Sequence, residues 1–172
     1  MNERSGLVTF KGNPLTLIGT EIKVGDKAPE FTVVNNELQP VKLSDFSNKI
    51  IVLSVAPSLD TPVCDMQAKH FNKIATEVSE DVVILNISVD LPFALARWCG
   101  ATGSDKVLTL SDYQEREFGV KYGILIKELK LLARSTWVID KKGKIVYNQI
   151  VKETVEEPDY DAVLDAVNKL IK

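Results

Sequence analysis

The segment from residue 49 to residue 90 constrains the fold of this chain more than any other stretch. It opens with "KIIVLSVA" (49–56), a continuous apolar and β-branched run of the kind found in strands that are buried on both faces. Residues 62–78 then carry apolar side chains at helical spacing, and "DVVILNISVD" (81–90) is a second run of the buried-strand type. A strand, a helix and a strand in such close succession predict a right-handed βαβ crossover.

Further elements on either side extend this unit into one domain. "LVTF" and "PLTLIG" around "KGN" predict an N-terminal β-hairpin, and residues 92–100 and 106–112 predict a short helix and a strand. "STWVID" (135–140) and "IVYNQIV" (145–151) flank a glycine turn and predict a second hairpin, before an amphipathic helix at the end. The order predicts a single α/β domain over residues 1–172, with a mixed central sheet flanked by helices and an added N-terminal hairpin.

Composition excludes several classes of function. The formal net charge of -3 argues against a nucleic-acid-binding protein, because such proteins carry a clustered basic face. No apolar stretch approaches the roughly 18 residues of a membrane-spanning helix, and the first residues lack the apolar core of a signal peptide. We therefore expect no membrane association and a cytoplasmic location. Two cysteines cannot form a secreted disulfide scaffold, and in a reducing compartment paired cysteines are more often catalytic or metal-bound than structural.

The stretch "PSLDTPVCDMQ" (57–67) places one of these cysteines at the start of the predicted first helix. Thr61 is a good N-cap residue and Pro62 a good first helical residue, which puts Cys64 in the first turn. Amide groups without intrahelical partners and the helix dipole favour an anion there, so the nucleophilic thiolate is favoured over the thiol. Open α/β sheets also bind their ligands where a parallel strand ends. The alternative is an inert cysteine that packs under the helix.

Several stretches resemble one known family, the peroxiredoxins. "PSLDTPVC" fits the peroxiredoxin pattern Pro-x-x-x-Thr-x-x-Cys as Pro57, Thr61 and Cys64. "SVAPSLDTPVCDMQ", "SVDLPFALARWC" and "LLARSTWVIDKKGKIVY" resemble, in order, stretches of the thiol peroxidase branch, the atypical two-cysteine peroxiredoxins. "LVTFKGNPLTLIG" resembles the N-terminal hairpin of that branch. The resemblance covers essentially the whole chain and implies a thioredoxin-like fold and the reduction of hydrogen peroxide and organic hydroperoxides.

The resemblance also implies a role for each residue that matches the motif. The Cys64 thiolate would attack the peroxide and become a sulfenic acid, the first step of cysteine oxidation. The Thr61 hydroxyl would hydrogen-bond the peroxide and the sulfur, and Pro57 would shield the pocket. Arg134, in "LLARSTW", matches the arginine that faces the reacting sulfur. A fixed guanidinium can stabilise both a thiolate and a charged transition state, although without the resemblance Arg134 would be interpreted as a surface charge.

The second cysteine, Cys99, lies near the end of the second predicted helix in "ARWCGATG". From its position alone it could be an apolar packing residue beside Trp98. The resemblance implies instead that Cys99 is the resolving cysteine, which attacks the sulfenic acid and forms a disulfide with Cys64 of the same chain. Two cysteines whose Cα atoms lie more than about 7 Å apart cannot join without backbone movement. Local unfolding of both helices during turnover is therefore a hypothesis.

The leading interpretation is an enzyme that regains electrons from a thioredoxin-like dithiol protein by thiol–disulfide exchange. The family resemblance further implies a homodimer, and we predict no cofactor or metal. A one-cysteine peroxidase with a structural Cys99 is the nearest alternative, and a redox sensor is an alternative of a different class. The complete Thr-x-x-Cys and arginine set favours catalysis over sensing.

Two other kinds of site are disfavoured. A zinc site at Cys64, His70 and Cys99 lacks a fourth ligand and matches no common spacing. A thioredoxin-type disulfide reductase is excluded because the chain has no Cys-x-x-Cys, and Thr61 stands where the first cysteine would be.

Overall fold

The apolar run that follows Lys49 forms a central strand of the main sheet. The structure is a computed structural model and describes residues 2–102 and 106–171. In that part of the chain the strands are β1 (Glu3–Phe10), β2 (Asn13–Ile18), β3 (Thr32–Val34), β4 (Pro40–Lys42), β5 (Ile50–Val55), β6 (Val82–Ser88), β7 (Leu108–Ser111), β8 (Leu125–Ile126), β9 (Ser135–Ile139) and β10 (Ile145–Ile150). The helices are α1 (Pro62–Glu77), α2 (Pro92–Thr102), α3 (Glu117–Lys121) and α4 (Tyr160–Ile171), and a 3₁₀ turn covers Leu43–Phe46.

The main sheet is mixed and has seven strands, in the order β10-β9-β5-β6-β7-β3-β4. β5, β6 and β7 are parallel, and every residue of β5 is buried, as the continuous apolar run predicts. The other pairs in this sheet are antiparallel. α1 connects β5 to β6, so the predicted strand–helix–strand unit and the mixed sheet are confirmed.

Successive side chains of a strand point to opposite faces of the sheet, so the buried strands place apolar residues on both faces. Both faces are covered by other elements of the chain. On one side lie apolar residues of β5, α1 and α4: Ile50, Val52, Phe71, Ile74, Val163 and Val167. On the other side lie apolar residues of β5, β9 and the α3 region: Ile51, Leu53, Val55, Trp137, Phe118 and Tyr122. Within residues 2–102 and 106–171, no helix combines the length and the apolar character needed to cross a membrane.

The N-terminal hairpin forms a separate small sheet. β1 and β2 pair antiparallel as predicted, and the two-residue strand β8 pairs with β2. Neither β8 nor β4 is predicted from the sequence, because elements of two or three residues are too short to show periodicity, whereas the short strand expected at the end of "VGDKAPEFTVVN" is β3. Gly19 ends the hairpin sheet, and a Cβ atom there would lie 2.1 Å from the Val120 carbonyl oxygen. Glycine therefore permits the close contact between the hairpin and the end of α3.

Asp112 is a buried carboxyl group that follows β7. Its oxygens accept hydrogen bonds from the backbone N–H groups of Phe118 at 3.2 Å and Gly119 at 2.8 Å. Burial raises the pKa of Asp112 to about 6 from an ordinary value of 3.8, although both N–H groups act to lower it. The folded state therefore binds the Asp112 proton more tightly than the unfolded state does.

This pKa predicts how the stability depends on pH. We expect the stability of the wild type relative to an Asp112→Asn variant to fall as pH rises from about 4 to about 7. Below the unfolded pKa the carboxyl is protonated in both states, and above the folded pKa the ionised form is buried at a cost. The change should approach about 3 kcal/mol, since each pKa unit corresponds to about 1.4 kcal/mol. Urea unfolding of both proteins across this range measures it, and a constant difference would contradict the prediction.

Candidate active site

Cys64 lies in the first turn of α1 and is fully buried, with 0% of its surface exposed. Thr61 is the N-cap residue and Pro62 begins the helix, as the sequence predicts. The Thr61 hydroxyl does not cap the helix, however, and donates instead to the Ser58 carbonyl at 3.0 Å. The first-turn amides of α1 therefore have no side-chain cap, and the helix terminus keeps its preference for an anion near Cys64.

Arg134, immediately before β9, is held against the sulfur of Cys64. Its Nη2 lies 3.1 Å from Cys64 Sγ, its Nη1 donates to Gln67 Oε1 at 2.7 Å, and its Nε donates to the Thr154 carbonyl at 2.8 Å. The side chain is only 2% exposed, so the interpretation as a surface charge is wrong. Three partners on three nitrogens fix the plane of the guanidinium.

The charge of Arg134 favours an anion at Cys64. Among the described residues, no carboxylate lies within ion-pair distance of the guanidinium. A buried cation without a counter-charge costs several kcal/mol, about the cost of burying any unpaired ion. A thiolate at Cys64 supplies that counter-charge, so the arrangement stabilises the nucleophilic form of the cysteine.

Gln67 belongs to this buried cluster and is not predicted from the sequence. It lies one helical turn after Cys64, is fully buried and accepts from Arg134. Its amide group donates to Ser54 Oγ at 2.8 Å and to the Val55 carbonyl at 3.2 Å, both at the end of β5. The signal in the sequence is the spacing of three residues from Cys64, which places both side chains on one face of α1.

A cavity of about 570 Å³ opens next to this cluster. It is lined mainly by apolar groups of the N-terminal hairpin, the loop before α1 and two later loops: Phe10, Lys11, Pro57, Ser58, Thr61, Pro62, Val63, Leu129, Leu131, Arg134, Thr154 and Val155. Three predicted site residues, Pro57, Thr61 and Arg134, thus share one cavity, and Cys64 contacts it through Arg134. Because the Thr61 hydroxyl donates to a carbonyl, its oxygen lone pairs remain free to accept a hydrogen bond from a ligand.

The N-terminal hairpin supports the segment that holds Arg134. The Thr9 carbonyl accepts hydrogen bonds from Thr154 N and Thr154 Oγ1, each at 2.8 Å. The Glu153 carboxylate accepts from the backbone N–H groups of Gly12 at 2.8 Å and Lys11 at 3.2 Å. The Gly12 bond is the main cause that lowers the pKa of Glu153 to about 2. The hairpin is therefore fastened directly beside the Thr154 carbonyl that orients Arg134.

Cys99 is not brought together with the other four predicted site residues. It is half-buried in α2, and its sulfur lies 3.4 Å from Thr109 Oγ1 and 3.8 Å from Asn36 Nδ2. The neighbouring Trp98 donates to Asp65 Oδ1 of α1 at 2.7 Å. Both cysteines are free thiols. A bond between them would require Cys99 to leave its contacts with Thr109 and Asn36.

His70 does not join the site. Its ring is exposed and stacks on Tyr160, with ring centroids 3.7 Å apart. In the part of the chain that the structure describes, no three His, Cys, Asp or Glu side chains are grouped so that they could hold a metal ion.

Comparison with known proteins identifies the family. The sequence model of the Redoxin family matches residues 23–164. The chain belongs to the Redoxin family. It is 51% identical over 165 residues to the thiol peroxidase of Bacillus subtilis (strain 168), covering 96% of this chain and 98% of that protein. It is 53% identical over 162 residues to the thiol peroxidase of Oceanobacillus iheyensis, covering 94% of this chain and 98% of that protein.

Solved structures agree with this membership. A peroxiredoxin-like protein from Aquifex aeolicus superposes with a TM-score of 0.90 at 44% identity, covering 97% of both chains. Thiol peroxidase from Chromobacterium violaceum superposes with a TM-score of 0.84 over 94% of this chain and 95% of that chain. At 22% identity, the second match supports the fold alone. The resemblance to thiol peroxidases and the thioredoxin-like fold predicted from the sequence are confirmed.

The hydrogen bonds between the Glu153 carboxylate and the N-terminal hairpin lead to a prediction. We expect Glu153→Gln to lower the melting temperature and to slow the oxidation of Cys64 severalfold, because the support of Arg134 loosens. The effect on stability should be complete above the ordinary pKa of 4.5 and should vanish as pH falls toward about 2, where the wild-type carboxylate is protonated too. Thermal unfolding at several pH values and a peroxide assay measure the two effects.

The matched control is Glu156→Gln, three residues away in the same loop. Its side chain makes no hydrogen bond within the described residues, so both readouts should stay at the wild-type values. Equal losses in the two variants would show that a general change of charge is responsible, and would contradict the role of the Glu153 hydrogen bonds in supporting Arg134.

Proposed function

We propose that Cys64 and Cys99 perform different steps in the catalytic cycle of this thiol-dependent peroxidase. Cys64 is the peroxidatic cysteine, which reacts with the hydroperoxide, and Cys99 is the resolving cysteine. The observation that carries the proposal is the buried Arg134 guanidinium, which has the Cys64 sulfur 3.1 Å away and no carboxylate partner among the described residues. Such a site favours a thiolate and can stabilise its negative charge as that charge moves toward the leaving oxygen in the transition state.

In the first step, the Cys64 thiolate attacks the terminal oxygen of the hydroperoxide. The S–O bond forms as the O–O bond breaks, and the alkoxide leaves and takes a proton from water to become the alcohol. The sulfur is oxidised to sulfenic acid and the peroxide is reduced. Thr61 Oγ1 accepts the O–H of the peroxide, while Arg134 stabilises the charge that moves from sulfur to the leaving oxygen. Pro57 forms the part of the cavity wall that restricts access of water.

The cavity supports organic hydroperoxides as substrates besides hydrogen peroxide. Its volume of about 570 Å³ and its mainly apolar lining suit an alkyl or aromatic group attached to the peroxide. Burial of that group adds binding free energy through the hydrophobic effect, which hydrogen peroxide cannot use.

In the second step, the Cys99 thiolate attacks the sulfur of the sulfenic acid. An S–S bond forms within the chain, and the hydroxyl group leaves as water after protonation. A thioredoxin-like dithiol protein then reduces the disulfide by exchange and is itself oxidised. The proposal includes a cytoplasmic location, where such a reductant is present. It also includes the homodimer that the family resemblance implies. Because Cys99 contacts Thr109 and Asn36, the alternative of a one-cysteine mechanism with a structural Cys99 must be tested.

Serine variants of the two cysteines test this division. Cys64→Ser should abolish peroxide consumption without unfolding the protein, because a serine hydroxyl stays protonated and is a poor nucleophile. Cys99→Ser should consume one equivalent of peroxide and then stall as a sulfenic acid that dimedone traps. Mass spectrometry and thioredoxin-coupled assays measure both. Turnover by Cys64→Ser would exclude the proposed nucleophile, and full thioredoxin-dependent turnover by Cys99→Ser would favour the one-cysteine mechanism.

The cavity predicts a selective effect on organic substrates. Leu129→Gln places a polar group in the lining at a residue that is 42% exposed, so folding should tolerate it. We expect KM for an aromatic hydroperoxide to rise severalfold while the reaction with hydrogen peroxide stays unchanged. Leu108→Gln is the control, because Leu108 is 46% exposed but lies on β7 away from the cavity. Equal changes for both peroxides would contradict the assignment of this cavity.

A further inference from the structure

The carboxylate of Asp90, just after β6, lies where several hydrogen-bond donors converge. Its Oδ1 accepts from Ser58 Oγ at 2.6 Å, and its Oδ2 accepts from Leu59 N at 2.7 Å and from Ser88 Oγ at 2.9 Å. Two of these bonds come from the loop before α1, and one comes from Ser88 at the end of β6. In the described part of the chain no Lys or Arg pairs with it. The negative charge of the carboxylate therefore strengthens its hydrogen bonds with Ser58, Leu59 and Ser88 instead of forming an ion pair.

The loop that Asp90 holds carries Pro57 and Thr61, two residues that line the cavity of about 570 Å³. Ser58 is the link between them and the carboxylate. Its carbonyl accepts from Thr61 Oγ1 at 3.0 Å and from Thr61 N at 3.3 Å, so the position of Ser58 sets the position of the Thr61 hydroxyl. Asp60 N donates to Ser58 Oγ at 3.1 Å and closes the turn. A chain of contacts thus runs from Asp90 through Ser58 to Thr61.

The other side of Asp90 is fixed to the sheet. Ser88, the last residue of β6, donates to the carboxylate, and Ser111 at the end of β7 donates through its hydroxyl to the Asp90 carbonyl. The carboxylate is therefore presented by two parallel strands of the sheet. A rigid element holds a reacting group more accurately than a loop does, and misplacement by about 1 Å can cost about 100-fold in rate.

We propose that Asp90 is a positioning residue for the reduction of the peroxide. Its carboxylate fixes the loop 57–61 so that the Thr61 hydroxyl faces the cavity beside Cys64. This role rests on the proposed function of Cys64 as the nucleophile and deepens it. Hydrogen bonds to an ionised acceptor are about twice as strong as neutral ones, and a carboxylate has enough lone pairs for three donors. An amide at this position would turn an NH₂ group toward one of the donors.

The contacts also define which step Asp90 affects. They join the sheet to the loop before α1 and leave untouched the Arg134–Cys64 contact and the Cys99 contacts with Thr109 and Asn36. Loss of the Asp90 carboxylate should therefore slow the reaction with peroxide. The thiolate fraction of Cys64 and the rate of disulfide formation should stay the same.

The experiment compares Asp90→Asn and Ser58→Ala with the control Ser79→Ala. Ser79 Oγ accepts from Asp81 N at 3.2 Å, as Ser58 Oγ accepts from Asp60 N, so Ser79→Ala removes the same kind of turn bond without touching Asp90 or the cavity. In single-turnover measurements, Asp90→Asn and Ser58→Ala should lower the second-order rate constant with hydrogen peroxide about tenfold or more, and Ser79→Ala should change it less than about twofold. Thiolate absorbance at neutral pH and the rate of disulfide formation should match the wild type in all three. The double variant Asp90→Asn/Ser58→Ala should be no slower than the slower single variant, since the Ser58–Asp90 hydrogen bond is shared by both changes.

Several results would overturn the role of Asp90. They are a normal peroxide rate in both Asp90→Asn and Ser58→Ala, an equal loss in Ser79→Ala, or additive losses in the double variant. If Asp90→Asn fails to fold in a thermal unfolding test, Ser58→Ala carries the decision, because it removes one of the two bonds between the loop and the carboxylate and leaves Asp90 in place. Cys64→Ser is measured in parallel. Peroxide reduction by Cys64→Ser would exclude the proposed function itself, whereas an inactive Cys64→Ser with normal rates in Asp90→Asn and Ser58→Ala would exclude only the positioning role.

Discussion

The contact between the Arg134 guanidinium and the Cys64 sulfur is the constraint on which the rest of the site depends. Removing a guanidinium from water costs much free energy unless each donor finds an acceptor and the charge finds a partner. The chain supplies neutral acceptors at Gln67 and Thr154 for two of the guanidinium nitrogens, and the third nitrogen lies against the sulfur. A carboxylate in place of either neutral acceptor would neutralise the cation and remove its effect on the cysteine. The effect of Arg134 on Cys64 therefore depends on having neutral groups, and not a carboxylate, as its other hydrogen-bond partners.

This requirement explains the arrangement of elements that are distant in sequence. Gln67 is anchored on β5 through Ser54 and Val55, which ties the first turns of α1 to the centre of the sheet. Thr154 belongs to a loop that is bonded to the N-terminal hairpin through the Thr9 carbonyl. The hairpin is thus an accessory element that stabilises one carbonyl group beside Arg134. Its contribution to the site is mechanical support, together with part of the cavity wall at Phe10 and Lys11.

The sequence predicts the fold and the motif residues well because their signals are local. Continuous apolar runs mark β5 and β6, and the Thr-Pro-x-Cys spacing marks the start of α1. The residues that position the site were not predicted, since Gln67, Glu153 and Asp90 act through partners that are far apart in the chain. Their side chains are also common on protein surfaces, so nothing in their type distinguishes them. The N-cap position of Thr61 was predicted correctly, but its hydroxyl bonds the Ser58 carbonyl because the preceding turn offers an acceptor at short range.

The unequal exposure of the two thiols has a consequence for chemical labelling. Cys64 has no surface accessible to solvent, whereas Cys99 is half-buried. A bulky electrophile such as a maleimide needs an approach path that a small peroxide does not, so it will modify Cys99 before Cys64. A proteome-wide survey with alkylating probes would then report Cys99 of this protein first. On the roles proposed for the two cysteines, covalent inhibitors selected by such labelling would block the regeneration of the enzyme and leave its reaction with the first peroxide intact.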